Sequence, residues 1–112
     1  MSGVMLDQET VAVTVEPGVC RFTAKIVGRM EDGELKCEIQ SGCKHVQDFA
    51  NALQPIGVME VVKMPFSENP VYIVGGRTLK HSTCPIPMAV LKVFEAAGGL
   101  GLKRDVSVIF QK

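Results

Sequence analysis

Apolar and polar residues alternate strictly along the first part of the chain. Val11, Val13 and Val15 interleave with Thr10, Ala12 and Thr14, the two-residue period of a half-buried strand. Glu16-Pro17-Gly18 breaks the pattern and Cys20 follows the break. Phe22, Ala24 and Ile26 then alternate with Arg21, Thr23 and Lys25, which predicts a second strand returning from a tight connection. Glu31-Asp32-Gly33 is a turn signal, and Leu35, Cys37 and Ile39 against Lys36, Glu38 and Gln40 give a third strand. Together these runs predict an antiparallel meander.

The period changes after Ser41-Gly42. Val46, Phe49, Ala50 and Leu53 recur at helical spacing, predicting a helix that starts at about Cys43 and ends at about Leu53, with Ser41 as its cap. Gln54-Pro55-Ile56-Gly57 is a break, and the apolar run from Val58 to Val62 is too short to assign to strand or helix. Asn69-Pro70 reads as a cap followed by a first-turn proline, opening a short helix to about Ile73 or Val74 that stops at Gly75-Gly76. Cys84 before Pro85 reads as the cap-like start of another helix, which directs Val90, Leu91 and Phe94 to the core and ends at Gly98-Gly99. Val106, Val108 and Phe110 alternate with Ser107, Ile109 and Gln111, predicting a C-terminal strand that joins the meander. Runs of strands precede runs of helices, so the expected class is α+β: a small antiparallel β-meander with helices packed on one face.

Length and composition narrow the function classes. At 112 residues, 46% of them hydrophobic, residues 1–112 are expected to form a single domain. Twelve basic against twelve acidic side chains leave no electrostatic footprint for nucleic acid or an anionic membrane. The segment Met1-Ser2-Gly3-Val4-Met5-Leu6-Asp7 lacks a basic region followed by a long apolar run, and no membrane-spanning stretch occurs elsewhere. The expectation is a cytoplasmic protein. In that reducing compartment Cys20, Cys37, Cys43 and Cys84 are expected to be thiols, metal ligands or redox groups and not a disulfide framework. Gly98, Gly99 and Gly101 follow a helix instead of opening one, the wrong context for a phosphate loop. With no general base or Ser-His-Asp set in view, the chain reads more as a binding module than as an enzyme, and the question stays open at this point.

The chemistry centres on Lys80-His81-Ser82-Thr83-Cys84-Pro85-Ile86-Pro87. A thiol at a helix start lies near free N–H groups and the positive end of the helix dipole, so Cys84 is expected to titrate below an ordinary cysteine. Cys43 falls at the start of the first helix, Cys20 follows the first strand, and His81 precedes Cys84 by three residues. Thiolates from Cys20, Cys43 and Cys84, with His81 as a fourth ligand, would suit an iron–sulfur cluster or zinc if they converge. Cys37 shares the parity of Leu35 and Ile39, which assigns it to the core as a small hydrophobe. His45 reads as an exposed helix residue or a spare ligand.

The order strand, turn, Cys20, strand, Asp32-Gly33 turn, strand, Gly42-Cys43 opening a helix, then His81 and Cys84 opening another, resembles the NifU/IscU-type iron–sulfur scaffold proteins. That resemblance implies a transient cluster or zinc held by Cys20, Cys43, Cys84 and His81. It also implies a cysteine desulfurase or an iron–sulfur acceptor protein as partner, and a homodimer is compatible with it. Four features depart from the family: Arg21-Phe22 stand where it has Gly-Asp, His81 is three residues from Cys84 instead of adjacent, a strand closes the chain, and no long N-terminal helix precedes the sheet. Cys84-Pro85-Ile86-Pro87 is locally similar to the Cys-Pro-x-Pro motif of TusA-type sulfur carriers, which implies persulfide transfer through Cys84 as an alternative. The whole sequence also looks like small uncharacterised proteins of anaerobic microbes carrying the same His-x-x-Cys-Pro-x-Pro stretch. A structural or interaction domain with buried free cysteines is the third reading.

Overall fold

Strands β1 (Val11–Val15), β2 (Ala24–Glu31) and β3 (Glu34–Ser41) pair antiparallel in chain order, in a computed structural model that describes residues 10–112. The expectations drawn from Met1 to Asp7 lie outside the described residues. Val13 stands opposite Ile26, and Ile26 opposite Ile39. The pleat therefore puts Val11, Val13, Ala24, Ile26, Gly28, Leu35, Cys37 and Ile39 on one face, and Thr14, Lys25, Glu38 and Gln40 on the other. A two-residue connection with Asp32 at φ 54° and Gly33 at φ 81° joins β2 to β3. Left-handed conformations at both positions match the twist of a tight hairpin.

Helices α1 (Lys44–Ala52) and α3 (Ile86–Ala97) cover the apolar face, and α2 (Pro70–Thr78) packs on both of them. α3 packs on all three strands, and α1 packs on β3 and α2. Ile26, Leu35, Phe49, Val71, Val90, Val93 and Phe94 are withdrawn from water, each burial contributing roughly 1.5–3 kcal/mol. Gly28 sets how near α3 can lie, since a Cβ there would sit 2.5 Å from Val93 Cγ1. The α+β class and the helix-covered meander are as expected.

Several boundaries differ for local reasons. β2 begins at Ala24 and not near Phe22, because hydrogen bonds from Arg21 N–H to Gly18 O (3.1 Å) and Thr23 N–H to Arg21 O (3.0 Å) hold the preceding residues in turns. The run after Gly57 forms a 3₁₀ turn, Val58–Glu60, and a second, Phe66–Glu68, precedes α2. α2 is capped by Asn69 as expected but continues through Gly75 and Gly76 to Thr78. A Cβ on Gly75 would lie 3.2 Å from Pro87 Cγ, so this glycine permits close approach of α3 instead of ending α2.

The expected C-terminal strand does not join the sheet. Residues 101–112 carry no secondary structure and are exposed. The N–H groups of Leu100 and Gly101 both donate to Glu95 O, at 2.8 and 3.2 Å, so the tail leaves the body beside Glu95 on α3. The outer edge of β3 is partly taken by another segment: Leu35 N–H donates to Ile56 O at 2.7 Å and Ile56 N–H to Leu35 O at 3.1 Å. No helix among the described residues is long and apolar enough to cross a membrane.

Candidate thiol site at one end of the sheet

Register brings the first two thiols to one end of the sheet. Val15 pairs with Ala24 and Ala24 with Ser41, so the β1–β2 loop carrying Cys20 and the exit of β3 toward Cys43 are neighbours. Phe22 from that loop lies over Gly42, whose Cβ position is 3.3 Å from Phe22 Cδ1. The loop is closed by Thr23, whose hydroxyl donates to Glu16 Oε1 at 2.9 Å. Within it Gly18 (φ 88°) and Arg21 (φ 64°) take left-handed conformations. Cys20 is exposed near the tip.

Cys43 occupies the N-cap of α1 with an extended backbone, one position earlier than the helical residue expected of it, and its side chain makes no capping hydrogen bond. Its N–H donates to Ser41 Oγ at 3.1 Å, so Ser41 fixes Cys43 and does not cap the helix itself. Cys43 and Cys84 are both half-buried against the core.

Cys84 ends a turn in which its N–H donates to His81 O at 3.1 Å. α3 starts at Ile86 with Pro85 in the N-cap position, one residue later than expected. The Ile86 N–H still reaches the Cys84 sulfur and favours thiolate. Even so, burial raises the Cys84 pKa above the ordinary thiol value, and the charges of Cys20 and Cys43 add to the rise. The expected lowering is thus corrected: desolvation of a half-buried sulfur outweighs a single N–H at the helix start. α3 runs with Gly98 beside Leu35 and Val93 over Gly28, so its start, with Cys84, lies toward the end of the sheet that carries Cys20 and Cys43.

Cys37 stands apart. It is half-buried on the helix-covered face of β3, and burial, with a smaller push from the Glu38 charge, raises it to about 11. His81 is exposed, and His45, expected exposed, is half-buried on α1. Among the described residues no group of three or more His, Cys, Asp or Glu side chains is drawn together closely enough to hold a metal ion. Cys20, Cys43 and Cys84 therefore share a neighbourhood without forming a closed ligand sphere. Phe22 and Ser41, which tie the Cys20 loop and Cys43 in place, were not legible as site residues. Phe22 read as part of a strand and Ser41 as a helix cap.

The chain belongs to a family of unknown function, DUF6951, whose match spans residues 11–110. Neither the curated proteins nor the solved structures include a match to it.

Proposed function

We propose that Cys20, Cys43 and Cys84 act together as a soft-metal site, binding an iron–sulfur cluster or zinc as a scaffold or carrier, with His81 as a fourth, labile ligand. The observation that carries this reading is the placement of Cys20, Cys43 and Cys84 toward one end of the sheet, with Cys37 further along β3 on its helix-covered face. Thiolates are the ligands that clusters require and zinc accepts. A bound metal ion supplies the positive charge that stabilises adjacent thiolates, offsetting the burial and mutual repulsion that raise Cys84 in its absence. Cys43 and Cys84 are anchored against the core, and Cys20 rides on an exposed turn. Closing the site is a displacement of that turn toward two seated thiols.

The backbone at Arg21 supports the same reading. Its φ of 64° is a conformation glycine adopts without cost, and glycine is the residue that NifU/IscU-type scaffolds carry after the first cysteine. The partners suited to such a site are a cysteine desulfurase that supplies sulfur and an iron–sulfur acceptor protein.

The test is anaerobic purification and reconstitution with iron and sulfide, or with zinc alone, followed by metal analysis. Cys20→Ser, Cys43→Ser and Cys84→Ser are each expected to lose most of the bound metal, Cys37→Ser little, and His81→Ala an intermediate share. Absence of bound metal in the wild type, or equal loss at all four cysteines, overturns the proposal. If Cys84 instead accepts a persulfide by mass spectrometry and keeps it in the Cys20→Ala/Cys43→Ala variant, the sulfur-carrier reading replaces it.

A further inference from the structure

The stop of α3 delivers the tail to one end of an open apolar groove. Gly99 takes a left-handed conformation, φ 78°, and Leu100 N–H reaches back to Glu95 O at 2.8 Å, the Schellman arrangement of a helix end. The chain is thereby folded back against the helix. A Cβ on Gly101 would lie 3.6 Å from Glu95 Cβ. Beyond this contact Leu102, Val108 and Phe110 are 81%, 85% and 91% exposed.

Glu95 is also one end of the groove wall. Met88, Leu91 and Glu95 fall on one stripe of α3, and with Met64, Phe66 and Tyr72 they line an open cavity of about 210 Å³. Met64 and Phe66 are themselves 65% and 60% exposed. An unpartnered apolar surface and an unpartnered apolar segment therefore meet at Glu95.

We propose that residues 102–110 are a strap that closes over this groove in the same chain, running back along α3 from Glu95 toward Met88. Reach is ample, since residues 102–110 extend up to roughly 30 Å and the stripe from Glu95 to Met88 measures about 10 Å along the helix axis. In extended chain Val106, Val108 and Phe110 share one side, which is the side turned to the groove. An apolar cavity of about 150 Å³ accommodates a benzene ring, so the Phe110 phenyl group has room. It would join a Phe66–Tyr72 pair whose ring centroids are 4.9 Å apart, and flexible methionines adapt to the ring that enters.

The tether selects the occupant. A segment held at the rim by a short link meets the groove at an effective concentration in the millimolar range, which a second copy at micromolar concentration does not match. The strap then alternates between the extended arrangement and a closed one that covers Met64, Phe66 and Met88. The family match extends through residue 110, so the strap belongs to the unit the family shares.

Nuclear Overhauser contacts in the full chain, with labelled methionine methyls and phenylalanine rings, test the proposal. The Met64 and Met88 methyls are expected to contact the Phe110 ring, with those contacts unchanged on dilution and lost in Phe110→Leu. Trypsin gives a second readout, because cleavage after Arg104 tracks the open fraction. Val108→Asp/Phe110→Asp, substitutions on exposed residues outside the core, is expected to speed that cleavage ~10-fold. A Phe110 ring without contact to either methionine overturns the proposal, and so does equal cleavage of variant and wild type. Contacts that fade on dilution also overturn it, since they assign the groove to the tail of a second copy. Neither readout involves metal, so both stand apart from the test of the thiol site.

Discussion

The backbone N–H of Cys84 donates to the carbonyl of His81 at 3.1 Å, closing the turn that delivers the thiol to the start of α3. The contact brings the backbones of the two residues together and leaves the His81 side chain exposed. It also seats the sulfur against the core, where burial governs its chemistry.

Alkylation should expose that balance in the metal-free protein. Cys84 is expected to react slowly at neutral pH, with its rate profile displaced to higher pH than in the urea-unfolded chain. Cys20→Ala/Cys43→Ala should shift the Cys84 profile to lower pH, because the removed thiolates are charges that raise it. Rates measured from pH 6 to about 11 on single residues by mass spectrometry check both statements. A Cys84 that reacts readily well below pH 8 contradicts the first, and an unmoved profile contradicts the second.

Gly28→Ala should be among the more damaging small substitutions. The added Cβ would meet Val93 Cγ1 at 2.5 Å, and a β-branched residue in a helix has essentially one available rotamer. α3 must therefore shift off the sheet, at a cost of roughly 1–3 kcal/mol. Urea unfolding of Gly28→Ala, Val93→Ala and the double variant should show the double change costing less than the sum of the singles.

The alternation in the first forty residues made the sheet legible, because each strand has one buried face and a period of two. The same parity argument separated Cys37 from the other cysteines. What could not be read were outcomes decided by tertiary competition. Gly75-Gly76 has the local signature of a helix stop, yet α2 continues because the missing Cβ lets Pro87 approach. Residues 106–110 have the pattern of a strand, but the chain turns away at Glu95 and the outer edge of β3 pairs at Leu35 with Ile56. For the site, helix-start positions of the thiols were visible in the sequence, whereas the desolvation that reverses the sign at Cys84 depends on packing against residues distant in the chain.

The raised pKa of Cys37 makes stability fall in alkali. The folded thiol titrates at about 11 against a reference value of 9.0. Between those values the unfolded chain has already lost the proton that the folded chain keeps, so the folded state binds more protons and stability decreases as pH rises. Stability from this source is complete below pH 9 and lost as pH climbs to about 11. The loss is on the order of 2–3 kcal/mol at 1.36 kcal/mol per unit. Denaturant midpoints of wild type and Cys37→Ala from pH 7 to 10.5 should diverge at neutral pH and converge in alkali.

Asn69 is the buried polar residue on which the approach to α2 depends. Its Oδ1 accepts from Val71 N–H at 3.0 Å, capping the helix, and its Nδ2 donates to Val61 O at 3.1 Å and Lys63 O at 3.2 Å. Asn69→Ala removes the cap, worth about 0.5–2 kcal/mol, and leaves buried carbonyls without their donor, at about 1–3 kcal/mol more. Asn69→Asp separates these contributions. It keeps the capping oxygen and gains a charge suited to a helix N-terminus, but directs its second oxygen at the Val61 and Lys63 carbonyls. That repulsion, together with burial, raises the carboxyl pKa of the folded variant above the unfolded value of about 3.9. A raised folded pKa means that stability is fully present below the unfolded pKa and lost as pH rises through the folded one. Measured against wild type at each pH, Asn69→Asp should therefore be strongly destabilised at pH 7 and recover part of the difference near pH 4, where the protonated carboxyl donates to one of the carbonyls. Asn69→Ala should show no such recovery, and a pH-independent difference for Asn69→Asp would mean that its side chain has turned out to solvent and that the cap, not the donor, is what position 69 supplies.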